Sequence, residues 1–246
     1  MTDRHPERDF HWYGRRRGHK LRPGRQSLID DALPGLRVVP PAGGGMLDPA
    51  AAFAGPVRDV WFEVGFGSGE HLAGQAARHP DVGFIGCEPF INGVATLLSH
   101  VEKQGLANVR IYDDDARRLL PALPDASLGR VFALFSDPWP KKRHNRRRFI
   151  AAETLDQLAR VMKDGAELRL ASDHMGYVRW ALLLLVRHPA FAWPAGSSRD
   201  WSERPADGVE TRYERKALKQ GAKPVYLRFL RRPRAPAGAG KSGESR

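Results

Sequence analysis

The chain has 246 residues, 41% of them hydrophobic, and a formal net charge of +12. This length and composition predict one domain with a sizeable core. A single cysteine excludes a disulfide framework, the scattered histidines give no metal-ligand spacing, and the longest apolar block, residues 180–186, is too short to span a bilayer. We therefore expect a cytoplasmic protein that binds no metal and no membrane.

The basic residues are concentrated in three segments. Residues 1–26 hold eight Lys or Arg against three acids, residues 141–148 hold six against none, and residues 212–234 hold nine against one. Such clustering indicates a polyanionic partner. RNA or DNA is favoured over an anionic membrane because the sequence contains no basic amphipathic helix.

The two ends of the chain differ from its middle in composition. Residues 1–55 are rich in Pro, Gly and Arg, which predicts a basic N-terminal arm that is partly ordered at best. Residues 234–246 are of low complexity, which predicts a disordered tail. A single domain is predicted over residues 56–233.

Within this domain, apolar strand-like runs alternate with helical patterns. The strand-like runs are residues 60–64, 82–87, 109–112, 130–136, 166–171, 191–193 and 225–230. The helical patterns cover residues 70–79, 90–104, 117–120, 149–162 and 174–187. This alternation predicts an α/β fold with a doubly wound, mostly parallel seven-stranded sheet and helices on both faces.

The first strand runs into a glycine-rich turn that begins at Glu63 and continues through Gly65, Gly67 and Gly69. Its G-x-G-x-G spacing differs from the G-x-G-x-x-G fingerprint of dinucleotide-binding folds. The carboxylate of Glu63 would repel a pyrophosphate and suits a ligand that carries an ammonium or a sulfonium. The alternative is a tight strand–helix turn that binds no ligand.

Acids also stand at or next to the ends of the next three strands. Glu88 closes the second strand, where a carboxylate can accept the hydroxyl groups of a ribose. Asp115 follows the third strand, where a carboxylate can accept an adenine amino proton, and Asp137 closes the fourth. Because the carboxyl ends of parallel strands meet at one edge of a sheet, these acids predict a nucleoside-binding edge.

Asp137 begins the segment Asp137-Pro138-Trp139-Pro140, which is followed by the six cations of residues 141–148. The indole of Trp139 can stack on a base, and arginines can hold phosphates. Two alternatives stay open: Trp139 belongs to the core, and the whole segment is a Pro-terminated strand followed by a solvated basic loop.

The order of these acids resembles the class I S-adenosylmethionine-dependent methyltransferases. With Ser172-Asp173 and Thr211-Arg212-Tyr213-Glu214 added to the basic segment, the sequence is similar to the bacterial tRNA (guanine-N7-)-methyltransferases. The resemblance covers residues 57–232 and residues 14–23 in the arm. It implies methyl transfer from S-adenosyl-L-methionine to N7 of the variable-loop guanosine of tRNA, with tRNA as partner and no obligatory protein partner.

The resemblance also implies roles for individual residues. Asp137 would be catalytic by orienting the cofactor and the guanine. The cofactor would contact Glu63, Gly65, Gly67, Glu88, Asp115 and Asp137. The substrate side would include Lys141, Asp173, Thr211, Arg212, Tyr213 and Glu214. The RNA would lie on Arg143, His144, Asn145, Arg146, Arg147 and Arg148.

Several of these residues have a structural alternative. Asp173 can cap the helix at 174–187, and Thr211 with Glu214 has the spacing of a capping box. Three other functions also stay open: a methyltransferase that modifies another substrate, such as another RNA base or a protein amine; a non-catalytic RNA-binding protein that has kept the methyltransferase fold; and a nicotinamide-dependent oxidoreductase on the same fold.

Overall fold

The computed structural model describes residues 14–235, so the predictions for residues 1–13 and 236–246 lie outside the described part. The strands are β1 (Asp59–Val64), β2 (Val82–Cys87), β3 (Val109–Tyr112), β4 (Leu128–Leu134), β5 (Met162–Ser172), β6 (Phe191–Ala192) and β7 (Val225–Arg231). The α-helices are α1 (Pro23–Ser27), α2 (Leu33–Leu36), α3 (Glu70–Arg78), α4 (Ile91–Gln104), α5 (Ala116–Leu119), α6 (Ala152–Val161), α7 (Met175–Arg187), α8 (Arg199–Ser202) and α9 (Arg212–Lys219). A π-helical turn covers Leu28–Ala32, and 3-10 turns cover Ala50–Ala52, Leu120–Ala122 and Lys142–Arg147.

The seven strands form one sheet in the order β3-β2-β1-β4-β5-β7-β6. Strands β1 to β5 are parallel to their neighbours, whereas β7 runs antiparallel to β5 and to β6. The predicted doubly wound, mostly parallel sheet is thereby confirmed. The strand order reverses between β1 and β4, which is where open α/β sheets form a crevice for ligands.

Helices cover both faces of the sheet because successive strand residues point to opposite sides. Phe62 belongs to a core that includes Leu158 of α6 and Leu185 of α7. Its neighbour Trp61 belongs to a second core that includes Leu72 of α3. None of the helices between residues 14 and 235 has the length and apolar character needed to cross a bilayer.

Part of the predicted arm belongs to the domain, which corrects the boundary at residue 56. Leu33 is fully buried in the core beside α3 and α4, and Val38 is only 4% exposed. Arg37 forms a parallel bridge with Ile111, so this stretch runs beside β3. The apolar residues of 28–36 cover the second core. The Pro and Gly residues among them interrupt the apolar pattern, so the sequence does not show a regular helix here.

The fourth strand ends earlier than predicted. β4 stops at Leu134, two residues before the predicted Ser136, because Phe135 has a φ of 50°. A left-handed backbone cannot continue a strand, so the chain turns at the edge of the sheet directly before Asp137.

Candidate active site

A cavity of about 440 Å³ lies at the carboxyl ends of β1, β2 and β4. Three of the predicted acids line it, namely Glu88, Asp115 and Asp137, and we call it the carboxylate cavity. Gly65 and Gly67 of the turn after β1 lie on its wall. The structure therefore brings five of the six predicted cofactor residues to one cavity.

The glycine-rich turn is shaped by close approach of backbone. Gly65 and Gly67 have φ values of 64° and 60°, which side chains rarely tolerate. Gly93 of α4 lies so near the turn that an added Cβ atom would stand 2.1 Å from the carbonyl oxygen of Gly67. Tyr213 packs against Gly67 from the other side, where a Cβ atom would come within 2.7 Å of its ring.

Glu88 ties this turn to the end of β2. It is 8% exposed and accepts hydrogen bonds from the backbone N–H of Gly67 at 2.7 Å and of Phe90 at 2.9 Å. Burial raises the pKa of Glu88 to about 7, and these two donors only partly oppose that effect. Asp137 adds repulsion, and loss of hydration raises the pKa of Asp137 itself, although more than a third of its surface is exposed.

Asp115 has a structural role as well as a place in the cavity. Its carboxylate caps α5 by accepting from the backbone N–H of Arg117 at 2.9 Å. The guanidinium of Arg117 donates to both carboxylate oxygens, at 3.0 and 2.6 Å. Among residues 14–235, Asp115 therefore has a cationic partner in an ion pair, whereas Glu88 and Asp137 have none.

Glu63 is the predicted cofactor residue that the structure does not bring to the cavity wall. It is 4% exposed, and its Oε2 lies 2.7 Å from Nδ1 of His71 on α3. His71 is equally buried, so the pair joins the end of β1 to the first turn of α3, on either side of the glycine-rich turn. Nothing in the sequence singles out His71, because a lone histidine in a helix is an ordinary core residue.

The turn after β4 is held in a rare conformation. Phe135 and Trp139 have φ values of 50° and 42°, which are unusual for aromatic residues. The guanidinium of Arg148 donates to the carbonyl oxygens of Pro138 at 2.8 Å and of Trp139 at 3.4 Å. Arg148 is 5% exposed and also lies over the ring of Trp180. The side chain of Arg148 is therefore buried and supports the turn, so it is not among the exposed cations of the basic segment.

The other residues of the basic segment differ in exposure. Arg143 and Arg146 are exposed, whereas Arg147 lies over the ring of Trp139 at 4.9 Å and lines the carboxylate cavity. His144 packs edge-on against Trp139, and loss of hydration together with the surrounding cations lowers its pKa. Asn145 is half-buried and accepts from the backbone N–H of Arg148 through its own carbonyl. Trp139 itself is half-buried on the cavity wall, so it is neither a fully buried core residue nor a fully exposed stacking surface.

A second cavity, of about 340 Å³, lies over β4, β5 and β7 beneath residues 193–211. It shares Leu134 and Phe135 with the carboxylate cavity, so the two cavities adjoin at the end of β4. We call it the aromatic cavity, because its wall includes Phe132, Phe135, Trp193 and Tyr226. Sequence periodicity does not reveal it, since its residues come from distant segments.

The motif at 211–214 divides between the two cavities. Thr211 caps α9 by accepting from the backbone N–H of Glu214 at 3.1 Å, which is one half of the capping box that the spacing suggested, whereas the Glu214 carboxylate accepts from the hydroxyl of Tyr226. Thr211 and Glu214 line the aromatic cavity, whereas Tyr213 lines the carboxylate cavity. The guanidinium of Arg212 lies over the Tyr213 ring at 5.2 Å and its charge lowers the pKa of Glu88.

Three predicted substrate residues line neither cavity. Lys141, Asp173 and Arg212 are all exposed, at the start of the 3-10 turn, before α7 and at the start of α9, respectively. Asp173 does not cap α7 either, because Nδ1 of His174 accepts from the backbone N–H of Tyr177 at 3.2 Å.

The described end of the arm reaches the carboxylate cavity, which the sequence did not indicate. Gly14 and Arg15 lie on the cavity wall. Arg16 attaches the arm to the domain. Its carbonyl accepts from the backbone N–H of Ile91 at 3.0 Å, and its guanidinium pairs with Asp114 at 2.7 Å. The arm thus lies beside α4 and forms part of the site.

Comparison with known proteins identifies the family of this chain. A family model described as "Putative methyltransferase" matches residues 58–227. The tRNA (guanine-N(7)-)-methyltransferase of Rhodospirillum rubrum is 55% identical over 94% of this chain and 91% of its own length. The protein of the same name from Paramagnetospirillum magneticum is 54% identical over 91% of this chain and 93% of its own length. The one from a Chelativorans species is 45% identical over 94% of this chain and 100% of its own length. Identity of this extent over most of both chains shows that the chain belongs to the tRNA (guanine-N(7)-)-methyltransferase family.

Proposed function

We propose that this protein transfers a methyl group from S-adenosyl-L-methionine to N7 of a guanosine in tRNA, and that the variable-loop guanosine is the target. The observation that carries the proposal is the pair of cavities that adjoin at Leu134 and Phe135. One cavity carries carboxylates and suits a cationic nucleoside. The other is aromatic and suits a base. The exposed Arg143 and Arg146 lie on the basic segment that follows the turn after β4.

The carboxylate cavity fits this cofactor better than it fits a dinucleotide. Burial raises the pKa values of Glu88 and Asp137, so a cation beside either carboxylate would stabilise its ionised form. A pyrophosphate would add repulsion, whereas a sulfonium and an ammonium supply the missing positive charge. In this proposal Glu88 holds the ribose, Asp115 the adenine, and Asp137 the end of the cofactor nearest the base.

The chemistry needs alignment more than proton transfer. S-adenosyl-L-methionine supplies a methyl group on a positively charged sulfur, and guanine N7 carries a lone pair and no proton at neutral pH. No general base is therefore required, and the acceleration comes from holding the base and the methyl group in line. Asp137 stands on the turn between the two cavities and orients both partners.

The RNA is held by charge outside the cavities. Arg143 and Arg146 are exposed on the 3-10 turn that follows Asp137, and phosphates are their natural partners. We propose that the purified protein acts alone, without an obligatory protein partner, and that it works in the cytoplasm. Nothing in the proposal requires a metal.

The test is incubation of the purified protein with unmodified tRNA transcript and labelled S-adenosyl-L-methionine. We expect labelled 7-methylguanosine in the nucleoside digest, and borohydride reduction followed by aniline cleavage maps it to one nucleotide. Methylated adenosine in place of 7-methylguanosine would assign the protein to another RNA base. Absence of any RNA product, with binding of a nicotinamide cofactor, would refute the proposal.

A matched pair of variants tests the role of Asp137. Asp137→Asn is expected to lower the rate on saturating tRNA by about 100-fold or more, because an oriented charged contact is lost in the transition state. Asp156→Asn removes one carboxylate on α6 that is 74% exposed and pairs only with His188 at 3.2 Å among the described residues, and it should keep the wild-type rate. Equal rates for the two variants would remove Asp137 from the mechanism.

A further inference from the structure

One wall of the aromatic cavity is formed by a loop. Residues 203–209, which we call the covering segment, lie between α8 and α9. Most of them line the cavity, namely Glu203, Arg204, Pro205, Gly208 and Val209. A loop lacks the hydrogen-bond ladder of a helix or a strand, so the position of this wall depends on the contacts that the segment makes with the rest of the domain.

Asp207 attaches the covering segment to α3 through its backbone. Its carbonyl accepts from the side-chain amide of Gln75 at 2.6 Å and from the guanidinium of Arg78 at 3.0 Å. Gln75 is fully buried, so the first of these bonds is shielded from water. Nearby, Val209 packs on Gly74 so closely that a Cβ atom added to this glycine would stand 2.9 Å from the valine side chain.

The carboxylate of Asp207 attaches the same segment to the sheet. Arg169 on β5 donates to both carboxylate oxygens, at 2.7 and 2.8 Å, and Arg130 on β4 donates to one of them at 3.3 Å. Both arginines also pair with Glu167, at 2.7 and 3.0 Å, so Asp207 is not the only residue that holds them. Partial burial opposes ionisation, but the hydrogen bonds and the charge of Arg169 outweigh it and lower the pKa of Asp207.

Asp207 is therefore the point at which the covering segment is fixed. Within residues 205–209, the hydrogen bonds to other parts of residues 14–235 all involve Asp207. Asp207 lines neither cavity, whereas Arg169 lines the aromatic cavity. The ion pair thus joins the loop wall of the cavity to the wall formed by β5.

The position of this wall matters more for the reaction than for stability. A misplacement of about 1 Å can slow an enzyme on the order of 100-fold, because the reacting groups lose their alignment. The side chain of Asp207 is 40% exposed, and ion pairs open to water contribute little to the free energy of unfolding. Loss of this carboxylate should therefore be tolerated by the fold and felt by the reaction.

We propose that Asp207 is a positioning residue for methyl transfer, whose carboxylate fixes the covering segment against Arg169 and so sets the position of the base in the aromatic cavity. The inference rests on the proposed function and adds a residue that contacts neither the cofactor nor the base. The covering segment contributes no residue to the carboxylate cavity, and it is separate from the basic segment that carries Arg143 and Arg146. Asp207 therefore acts on the rate and not on the binding of cofactor or tRNA.

Two variants of Asp207 and one matched control test this role. Asp207→Asn keeps the size of the side chain and the backbone carbonyl but removes the charge, and Asp207→Ala removes the side-chain acceptor altogether. The control is Asp164→Asn, because Asp164 also pairs with two arginines, Arg231 and Arg234, and its side chain is 42% exposed. Asp164 lines neither cavity.

The measurement is the single-turnover rate of 7-methylguanosine formation, with the protein in excess over an unmodified tRNA transcript and with saturating labelled S-adenosyl-L-methionine. Calorimetry gives the cofactor affinity, filter binding gives the tRNA affinity, and denaturant unfolding gives the stability of each protein. Asp207→Asn should lower the rate by about 10- to 100-fold, and Asp207→Ala by at least as much, with both affinities unchanged. Asp164→Asn should keep the wild-type rate.

The outcomes separate the inference from the function on which it rests. If the wild-type protein makes no 7-methylguanosine, both are refuted. If it makes 7-methylguanosine and Asp207→Asn unfolds more easily but keeps the wild-type rate, the role of Asp207 is merely structural, and the inference is overturned while the proposed function stands. Equal losses of rate in Asp207→Asn and Asp164→Asn, or weaker binding of the cofactor by Asp207→Asn, overturn the inference in the same way.

Discussion

The titration of Glu88 gives a prediction that does not depend on activity. Its pKa rises from an ordinary 4.5 to about 7 in the folded protein because the carboxyl group is buried. A raised folded-state pKa means that the folded protein keeps this proton when the unfolded chain has already lost it. The contribution to stability is therefore present at low pH and is lost as the pH rises from 4.5 to about 7.

The size of the effect follows from the two pKa values. Between pH 5 and pH 8 the contribution of Glu88 to the free energy of unfolding should fall by about 2–3 kcal/mol. Other groups titrate over the same range, so the variant Glu88→Gln is needed as a reference. It keeps the side-chain length and removes the titration, and the other groups cancel in the difference between the two proteins.

The assay is denaturant unfolding of both proteins at pH 5, 6, 7 and 8 without cofactor. The free energy of unfolding of the wild-type protein, minus that of Glu88→Gln, should decrease steadily up to about pH 7 and then become constant. A difference that stays constant over the whole range would show that Glu88 is ionised throughout. A difference that increases with pH would show that its two amide donors outweigh its burial.

Three further predictions concern the walls of the site. Gly93→Ala should weaken cofactor binding by at least about tenfold in calorimetry, because its Cβ atom meets the Gly67 carbonyl and moves the turn. Arg148→Ala should lower the free energy of unfolding by about 1–3 kcal/mol, since two carbonyl groups lose their donor, and should leave the salt dependence of tRNA binding unchanged. Replacing both Arg143 and Arg146 by Ala should weaken tRNA binding, reduce the slope of log affinity against log salt by about 2, and keep kcat on saturating tRNA. Each is contradicted by the opposite pattern: unchanged cofactor affinity for Gly93→Ala, a reduced salt slope for Arg148→Ala, or a lower kcat with normal affinity for the double variant.

The fold could be predicted from the sequence because the central strands are recognisable by their apolar composition. Runs such as residues 82–87 and 131–134 carry no charged or polar side chain, which is typical of strands covered by helices on both faces. Their alternation with helical stripes leaves few topologies open. The arm is harder, because the apolar residues between 28 and 36 are interrupted by Pro34 and Gly35 and form short turns of different types.

Within the site, the sequence identifies which chemical groups are present but not which way they face. Glu63 and Glu88 both stand at strand ends, yet only Glu88 lines the carboxylate cavity, whereas the carboxylate of Glu63 is paired with the buried His71 on α3. Arg148 is one of six neighbouring cations, and only the fold of the turn shows that it is buried. The aromatic cavity is invisible in the sequence, since Glu214 and Tyr226 meet only through tertiary packing.

The turn after β4 links these observations, because it is the place where the backbone departs most from ordinary geometry. Two aromatic residues with positive φ within five positions, Phe135 and Trp139, cost about 1–3 kcal/mol each. Such conformations persist only where the surroundings impose them, and the buried Arg148 supplies that constraint through two carbonyl groups. The bend at Phe135 ends β4 and places this ring between the two cavities, while Asp137 lines the first. A relaxed turn would let β4 continue and would separate the acid from the place where the cavities meet, so the strain is the structural condition for bringing a methyl donor and a base together.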